Sequence, residues 1–528
     1  MKNFIKYSTV LALAFGFVGC EPEFDRPITE AGFYTSGDAD FSNYVAIGNS
    51  LTAGFADSAL YITGQENSYP NIMATQFALA GGGAFNQPLM NDNLGGLLLG
   101  GNQIAQNRFV LATGATGVPA PAILTGSPTT DIANVLSGNF NNMGVPGARS
   151  FDLLFSGYGN VANLPNANPY FVRFASAPNA TVIEDAVAQN PSFFSLWIGN
   201  NDILGYATSG GGGVDQTGNL DPSTYGLNDI TDPNVFASVY SQQVEALVST
   251  GAQGVLVNLP DVTSIPFFTT VPSQAIPLDA ATAVTLNQEF SDYNTMVLPG
   301  LASVGAITPE EVAERQINFV EGVNFVTLQD DDLTDISTFV QGPPFNLDPA
   351  TAGLLSTLRQ ATSSDIIPLT ASSILGTQNQ ETFDVLVSLG LSPEEAAQRS
   401  VNGVTVPLAD QFVLTDAEQL RITTAQASYN ATIEGLAAAN GLALADAQSA
   451  LQQVANGGIG FNGGVLTSTF ATGGAFSLDG VHPTPRGYAL TANVILDAIN
   501  AQYGSTIPNV DIGNFTTITI SDDVNKKL

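Results

Sequence analysis

Five short apolar runs, spaced far apart along the chain, constrain its fold most strongly. Each run is four to six residues long and lacks the polar–apolar alternation of a strand with one face in water. Strands buried on both faces have this pattern, and parallel sheets covered by helices are built from them. The runs, which we predict to be strands, are 44–47, 140–145, 193–198, 254–259 and 442–445.

Helical patterns lie between or after these runs. Apolar residues recur at helical spacing over 281–296, 416–439 and 485–501. The second of these segments begins after Thr415 with the string T-D-A-E, which is typical of a capping box at the start of a helix. Because strands alternate with helices, the sequence predicts an α/β sandwich.

The chain is much longer than such a fold requires. A minimal domain of this kind needs about 200 residues, whereas this chain has 528. We predict a single domain over 44–505 that carries insertions at about 80–138, 207–233 and 265–410. The third insertion contains an apolar segment at 320–328 and predicted helices at 309–315 and 393–400. The sequence leaves open whether it forms a separate subdomain.

A serine follows the first predicted strand. The string YVAIGNSLTAGF places Ser50 where an apolar strand turns into a helix-compatible stretch. Open α/β sheets bind ligands at the carboxyl ends of their strands, and an adjacent helix N-terminus stabilises negative charge. These features make Ser50 a candidate nucleophile, although an N-cap serine in an ordinary loop would have the same local sequence.

Two further blocks follow the next two predicted strands. The string NMGVPGA ends with Gly147, whose lack of a side chain would let backbone N–H groups approach a ligand; a simple Pro-Gly turn is the alternative. The string LWIGNND supplies Asn201, whose amide could donate to an oxyanion. Asp202 could orient that amide or cap the next helix. We assign Trp197, the only tryptophan, to the core.

The only histidine in the chain lies three residues after an aspartate. In the string SLDGVHPTPRGY, Asp479 and His482 occupy a glycine-containing turn before a predicted helix. That spacing can place the carboxylate against the imidazole and so fix its orientation and tautomer. A lone histidine also excludes a metal site built from several histidines within one chain.

These four blocks, in this order, resemble the SGNH/GDSL family of serine hydrolases. The match assigns the family's signature residues to Ser50, Gly147, Asn201 and His482, with Asp479 as the acidic member of the triad. The resemblance covers most of 44–265 and 411–505, but not the large insertions. It implies a three-layer α/β/α sandwich around a mostly parallel, flavodoxin-like sheet of five strands.

The resemblance also implies a mechanism. Ser50 would attack a carboxylic ester to form an acyl-enzyme, His482 would transfer protons and Asp479 would orient the imidazole. The backbone N–H groups of Ser50 and Gly147 and the amide of Asn201 would form the oxyanion hole. No metal or organic cofactor is required. Asn49 stands where the family's Gly-Asp-Ser-Leu string has aspartate. Because an amide can keep some hydrogen bonds of a carboxylate, this departure affects the details of the site more than the choice of Ser50 as nucleophile.

The substrate is less constrained than the reaction. The insertions contain apolar pieces such as 95–101 and 265–271, which could line an acyl pocket, form a lid or simply pack inside the insertions. We favour esters of lipids or other acyl chains. An acetyl-carbohydrate esterase is the enzymatic alternative, and a non-catalytic binding lipoprotein on the same fold is the alternative of another class.

Charge excludes one class of partner. The chain has 13 basic and 47 acidic residues and a formal net charge of −34, whereas nucleic-acid binding requires a basic face. The run Asp330-Asp331-Asp332, followed by Asp335, could bind calcium, but a solvated acidic turn is the favoured interpretation and no metal site is expected.

The N-terminus is typical of an exported lipoprotein. Residues 1–19 combine two lysines with an apolar run that is too short to span a bilayer, and they end at a glycine before Cys20, the only cysteine. This pattern resembles a bacterial lipobox and predicts lipid attachment at Cys20. We expect an acidic tether over 20–43, a C-terminal tail over 506–528, and anchoring to the bacterial outer membrane, at its periplasmic face or at the cell surface.

Overall fold

The core of the protein is one five-stranded parallel sheet. A computed structural model describes residues 32–114 and 117–524. The strands are β1 (Tyr44–Gly48), β2 (Asn142–Gly144), β3 (Phe193–Trp197), β4 (Gln253–Val257) and β5 (Ala443–Ala445). All of their pairings are parallel. The five predicted strands are therefore confirmed, each within two residues at its start and end.

The strand order places the ends of β1 and β3 side by side. The order is β2-β1-β3-β4-β5, which is the order of a flavodoxin-like, doubly wound sheet. Ala46 of β1 pairs with Asn142 on one side and with Ser195 on the other. The strand order reverses at β1: β2 lies on one side of it and β3 to β5 lie on the other. Ligands of such sheets bind in the crevice at that point.

Helices cover the sheet in two groups. The longer helices are α1 (Tyr69–Phe77), α2 (Val182–Val187), α3 (Asn201–Thr208), α4 (Pro233–Val248), α5 (Asp416–Asn440), α6 (Ala447–Asn456) and α7 (Pro485–Tyr503). One group contains α1 and α7, which contact each other, while α5 contacts α4 and α3 in the other. Both α5 and α7 contact β4 and β5. The protein is thus an α/β protein whose arrangement is compatible with three layers.

The two long helices of the core begin and end where local sequence signals place them. Thr415 accepts from the backbone N–H of Glu418 while the Glu418 side chain accepts from Thr415, which is the predicted capping box of α5. That helix ends at Gly441 in the left-handed conformation. Pro485 occupies the first turn of α7. Backbone N–H groups in a first turn have no acceptor within the helix, so the N–H that proline lacks costs no hydrogen bond there.

The insertion over 265–410 builds a second hydrophobic core. Its buried members include Leu298, Val326, Leu328 and Ile336, and they pack on one another rather than on the sheet. The surrounding strands are Gln274–Leu278, Gly322–Phe325, Thr327–Gln329 and Leu358–Gln360; the helices are Ala280–Glu289, Leu298–Ser303, Pro309–Glu314, Ser337–Gln341, Pro349–Leu355, Gln380–Ser388 and Pro393–Gln398. The predicted helix over 281–296 ends at Glu289 and is followed by a separate π-helical turn, Tyr293–Val297.

The insertion over 80–138 forms small sheets that the end of the chain completes. Its strands are Leu97–Leu99, Asn102–Ala105, Phe109–Thr113, Pro119–Ile123 and Thr130–Asp131. Leu111 donates through its backbone to Thr519 and accepts from Ser521. The C-terminal segment also buries Ile507 and Ile512. The segment predicted to be a tail is therefore packed on the domain as far as the structure describes it.

The predicted tether also differs from the structure in its second half. Phe41 is 2% exposed and stacks on Phe77 of α1. The Thr35 N–H donates to the Thr506 hydroxyl and the Thr35 carbonyl accepts from the Thr506 N–H, so this segment is fixed to the domain before β1 begins. The predicted signal segment 1–19 and Cys20 lie outside the described residues. Among the described residues, no helix combines the length and apolar composition that crossing a membrane requires.

Candidate active site

Ser50 begins a single helical turn immediately after β1. The turn, Ser50–Ala53, is capped by Asn49, whose side chain accepts from the backbone N–H of Leu51. It ends at Gly54 in the left-handed conformation. Gly144 of β2 packs so closely that a Cβ there would lie 2.3 Å from the Ala53 nitrogen. Ser50 is consequently held at the carboxyl end of the sheet with 7% of its surface exposed.

His482 and Asp479 meet Ser50 from the opposite end of the sequence. The Nε2 atom of His482 lies 2.9 Å from the Ser50 hydroxyl, and its Nδ1 atom lies 2.9 Å from a carboxylate oxygen of Asp479. An ionised carboxylate can only accept, so Nδ1 carries the proton and Nε2 is free to accept from Ser50. The structure thus joins Ser50, His482 and Asp479 in one hydrogen-bonded chain.

Backbone donors surround the Asp479 carboxylate. One oxygen accepts from the N–H groups of Val481 and His482, and the other accepts from the N–H of Ser58 at 2.8 Å. Burial alone would raise the pKa of Asp479, but the charge and hydrogen bonds of His482 and the other donors lower it to about 2. The carboxylate is therefore ionised at neutral pH and can stabilise an imidazolium.

A second layer of polar groups fixes Asp479 from behind. The Ser477 hydroxyl donates to Asp479 at 3.0 Å and accepts from the Asp57 N–H at 2.9 Å. Asp57 accepts from Leu478 and Tyr61, and Arg108 of the first insertion lies 3.7 Å from it. Burial raises the pKa of Asp57, while these hydrogen bonds act in the opposite direction.

Sequence reasoning missed this layer. Asp57 and Ser58 both have positive φ angles, of 52° and 63°, and this bend directs the Ser58 N–H at Asp479. Positive φ is enriched for aspartate, which is a weak signal by itself. Nothing in the local sequence of Arg108 indicates that an insertion contributes to the surroundings of the triad.

Gly147 and Asn201 lie on two segments that are tied together. Gly147 has a φ of 82°, a conformation that favours glycine. The Asn201 amide donates to the carbonyl of Ala148 at 2.9 Å. Because an amide nitrogen carries two hydrogens, one remains for a ligand. Throughout 32–114 and 117–524, no acceptor is found for the Gly147 N–H, so this donor is available for an oxyanion.

Asp202 connects the same two segments. Its carboxylate accepts from the backbone N–H and the hydroxyl of Ser150, at 2.8 and 2.6 Å. The side chain neither orients the Asn201 amide nor caps α3, which corrects both roles that its sequence position suggested. Burial raises the pKa of Asp202 to about 6. Asp202 therefore fixes the loop that carries Gly147 against α3.

Asn49 bridges the ends of β1 and β3. Its side-chain nitrogen donates to the side-chain oxygen of Asn200 at 3.1 Å, and both residues are buried. An aspartate at this position would lack the N–H that makes this bond, since a carboxylate only accepts. The amide of Asn49 thus makes a hydrogen bond between the ends of β1 and β3 that a carboxylate could not make.

An apolar cavity opens beside Ser50. Its volume is about 950 Å³ with the mouth included. Ser50, His482 and Asn201 line it together with residues of α6, α7 and the loop after β4. The wall residues are almost all apolar; they include Val262, Ile265, Leu451, Val454, Leu490 and Ile495. Trp197 belongs to the core as predicted and also forms part of this wall.

The apolar pieces of the insertions are mostly absent from this wall. The segment 95–101 forms a strand at Leu97–Leu99, and Leu97 packs in a small cluster with Met90 and Ile132. Of the segment 265–271, Ile265 lines the cavity and Phe268 packs in the main core. The cavity is therefore built chiefly by the core helices.

No family model, curated protein or solved structure matches this chain. The family resemblance consequently depends on the four sequence blocks and on the geometry around Ser50.

Proposed function

We propose that this protein is a serine ester hydrolase of the SGNH/GDSL type, with the three-layer α/β/α sandwich of that family. The observation that carries the proposal is the hydrogen-bonded chain Ser50–His482–Asp479, of which Ser50 and His482 line an apolar cavity. Nucleophile, base and orienting acid within hydrogen-bonding distance of one another are the geometric requirement for this chemistry.

The proposed ester hydrolysis proceeds by proton transfers between Ser50, His482 and the substrate. The Ser50 oxygen attacks the ester carbonyl carbon while its proton passes to His482 Nε2, and the imidazolium is stabilised by Asp479. Collapse of the tetrahedral intermediate breaks the bond to the alcohol oxygen, which takes the proton from Nε2. Water then attacks the acyl-enzyme by the same route, which releases the acid and restores the Ser50 hydroxyl.

Three donors would stabilise the oxyanion. They are the backbone N–H groups of Ser50 and Gly147 and the second amide hydrogen of Asn201. Asn201 lines the same cavity as Ser50, and the Gly147 loop is fixed to α3 through Asp202. Donors held rigidly before the reaction need no reorganisation when negative charge develops, which is the main source of their effect.

The cavity favours an acyl chain over an acetylated sugar. Gly487 and Ile495 both line it and are eight residues apart on α7, so the wall extends about 12 Å along that helix. A sugar would leave its hydroxyl groups without partners in such a wall, whereas an alkyl chain gains from burial of its methylene groups. We therefore infer esters of medium or long acyl chains as substrates.

We also propose that a lipid on Cys20 attaches the protein to the outer membrane, as its lipobox-like N-terminal sequence predicts.

A comparison of two serine variants tests the mechanism. Purified protein and its Ser50→Ala variant are assayed on p-nitrophenyl octanoate and labelled with a fluorophosphonate probe. Hydrolysis and labelling should both be lost in Ser50→Ala and retained in Ser303→Ala, an exposed serine of the third insertion. Equal labelling of Ser50→Ala would contradict the assignment, and no turnover on any ester would favour a binding lipoprotein.

A series of acyl lengths tests the substrate class. We expect kcat/KM to rise from p-nitrophenyl acetate to octanoate, because each methylene buried in the cavity contributes about 0.8 kcal/mol. A preference for acetate, together with release of acetate from acetylated glycans, would instead support the acetyl-carbohydrate esterase.

A further inference from the structure

Three carboxylates from distant parts of the chain converge away from the catalytic serine. Asp331 follows the strand Thr327–Gln329 of the third insertion, Asp410 begins the 3₁₀ turn Asp410–Phe412, and Glu418 lies in the first turn of α5. Each presents a carboxylate oxygen within 4.8 Å of the other two. The cluster therefore lies between the second hydrophobic core and a helix of the main domain.

Glu418 is the unusual member of this group. Its side chain is fully buried, one carboxylate oxygen accepts from the Thr415 N–H at 2.7 Å, and the other, Oε1, has no hydrogen-bond partner. A buried carboxylate oxygen without a partner is costly, since its hydration has not been replaced. A cation at the cluster would supply the missing interaction.

The carboxylates of Glu418 and Asp410 lie against the glycines of the second insertion. A Cβ at position 211 would lie only 1.7 Å from Glu418 Oε1, and a Cβ at position 212 would lie 3.6 Å from an Asp410 oxygen. Gly211 also has a φ of 79°. A side chain at position 211 would therefore displace the Glu418 carboxylate, whereas a Cβ at position 212 would make only an ordinary contact with Asp410.

The basic side chains nearest the cluster pair with its flanking residues. The flanking Asp330 and Asp332 pair with Arg359 and Arg421. Within residues 32–114 and 117–524, no Arg, Lys or His forms an ion pair with Asp331, Asp410 or Glu418. Burial, followed by repulsion from neighbouring carboxylates, raises the pKa of Glu418 to about 8 and that of Asp410 to about 6.

We propose that Asp331, Asp410 and Glu418 bind a divalent cation of the Ca²⁺ type that joins the third insertion to the main domain. The donors are carboxylate oxygens alone, which suit hard cations rather than zinc or copper. Calcium accepts an irregular set of oxygen ligands and completes its shell with water. The acidic run Asp330-Asp331-Asp332 did not by itself indicate a site, because Glu418 comes from α5, far along the chain.

The site links the insertion to the element that carries Asn201. Beside the cluster, Arg421 pairs with Asp332 and donates to the hydroxyl of Tyr206 on α3 at 2.9 Å. The bound ion would neutralise repulsion at this junction without contacting the substrate. We therefore expect an effect on stability first. This inference does not depend on the esterase proposal.

Thermal unfolding of the full chain tests the site. Protein stripped with EDTA is melted in NaCl, MgCl₂ or CaCl₂ at equal ionic strength, and calcium binding is followed by calorimetry. Calcium should bind with a stoichiometry of one and raise Tm by about 3 °C or more at saturation, beyond the effect of NaCl. A larger effect of MgCl₂ would assign the site to magnesium, and no shift beyond that of NaCl would overturn the proposal.

Matched variants distinguish the site from general screening. Glu418→Gln and Asp331→Asn should each abolish the calcium shift, whereas Glu394→Gln, at an exposed acid of the same insertion, should retain it. Glu418→Gln keeps the shape of the side chain and cannot ionise in its buried site, so we expect it to fold with a metal-free Tm equal to or above that of the parent. Asp331 is exposed, which makes its variant an independent check. An undiminished shift in both variants would overturn the proposal.

Discussion

At the scale of single residues, the candidate site depends on groups that have no catalytic signature of their own. Sequence spacing joins Asp479 to His482, and a strand-to-helix turn singles out Ser50, but only the resemblance of the four blocks to a known family puts the three residues in one site. The N–H of Ser58 and the hydroxyl of Ser477 also hold Asp479. A backbone donor has no sequence signal, and a serine is too common to be singled out, so these contacts required the structure.

We expect Ser477→Ala to lower kcat about tenfold with little change in KM. The hydroxyl joins Asp479 to Asp57, and loss of one such hydrogen bond is worth about 1–1.5 kcal/mol. The measurement is steady-state kinetics on p-nitrophenyl octanoate, with Ser303→Ala as the control. A change confined to KM would show that Ser477 does not act through the triad.

Asn201→Ala should reduce kcat by about 10²–10³, which is the usual effect of removing one oxyanion donor. The same variant loses the bond to the Ala148 carbonyl, so its Tm is measured alongside the rate. Turnover within threefold of the parent would exclude Asn201 from the oxyanion hole.

At the scale of elements, apolar runs predicted the sheet and helical periodicity predicted α5 and α7, but neither predicted the cavity. The capping box of α5 and the first-turn proline of α7 are local signals, and both helices begin where those signals lie. Helix α6 was not predicted, although Ala447, Leu451 and Val454 follow helical spacing; among its ten residues only Val454 is buried. Yet Ala447, Leu451 and Val454 of that helix form one wall of the cavity. A cavity between helices depends on how they pack, which no single segment encodes.

Leu451→Phe should shorten the preferred acyl chain. The larger ring would occupy part of the cavity, so we expect kcat/KM for octanoate to fall about tenfold or more while that for acetate changes little. Leu420→Phe, at a residue of α5 that is 66% exposed and does not line the cavity, is the matched control. Parallel losses on both esters would contradict an acyl role for this wall.

At the scale of the whole molecule, buried acids set the response of stability to pH. The folded protein raises the pKa of Asp202 and Asp410 to about 6 and that of Glu418 to about 8, in each case mainly by burial. A group whose folded pKa is raised binds its proton more tightly in the folded state. Its contribution is therefore full below the unfolded pKa and is lost as pH rises through the folded value.

In EDTA, Tm should accordingly be higher at pH 5 than at pH 8.5. Asp479 acts in the opposite sense, because its pKa is lowered to about 2, but its contribution is lost only as pH falls from near 4 through that value. Glu418→Gln should flatten the decline between pH 5 and 8.5, and Glu394→Gln should not. A Tm that rises over this range would contradict the assignment.

The separation of Ser50 from His482 along the chain has a consequence for synthesis. The two residues that share a hydrogen bond are 432 positions apart, and Leu111 pairs with the segment 519–521. A nascent chain therefore carries Ser50 without His482 until 432 further residues have been translated. Because contacts of such long sequence separation form late, the proposed activity cannot appear before His482 has been made and has packed against Ser50.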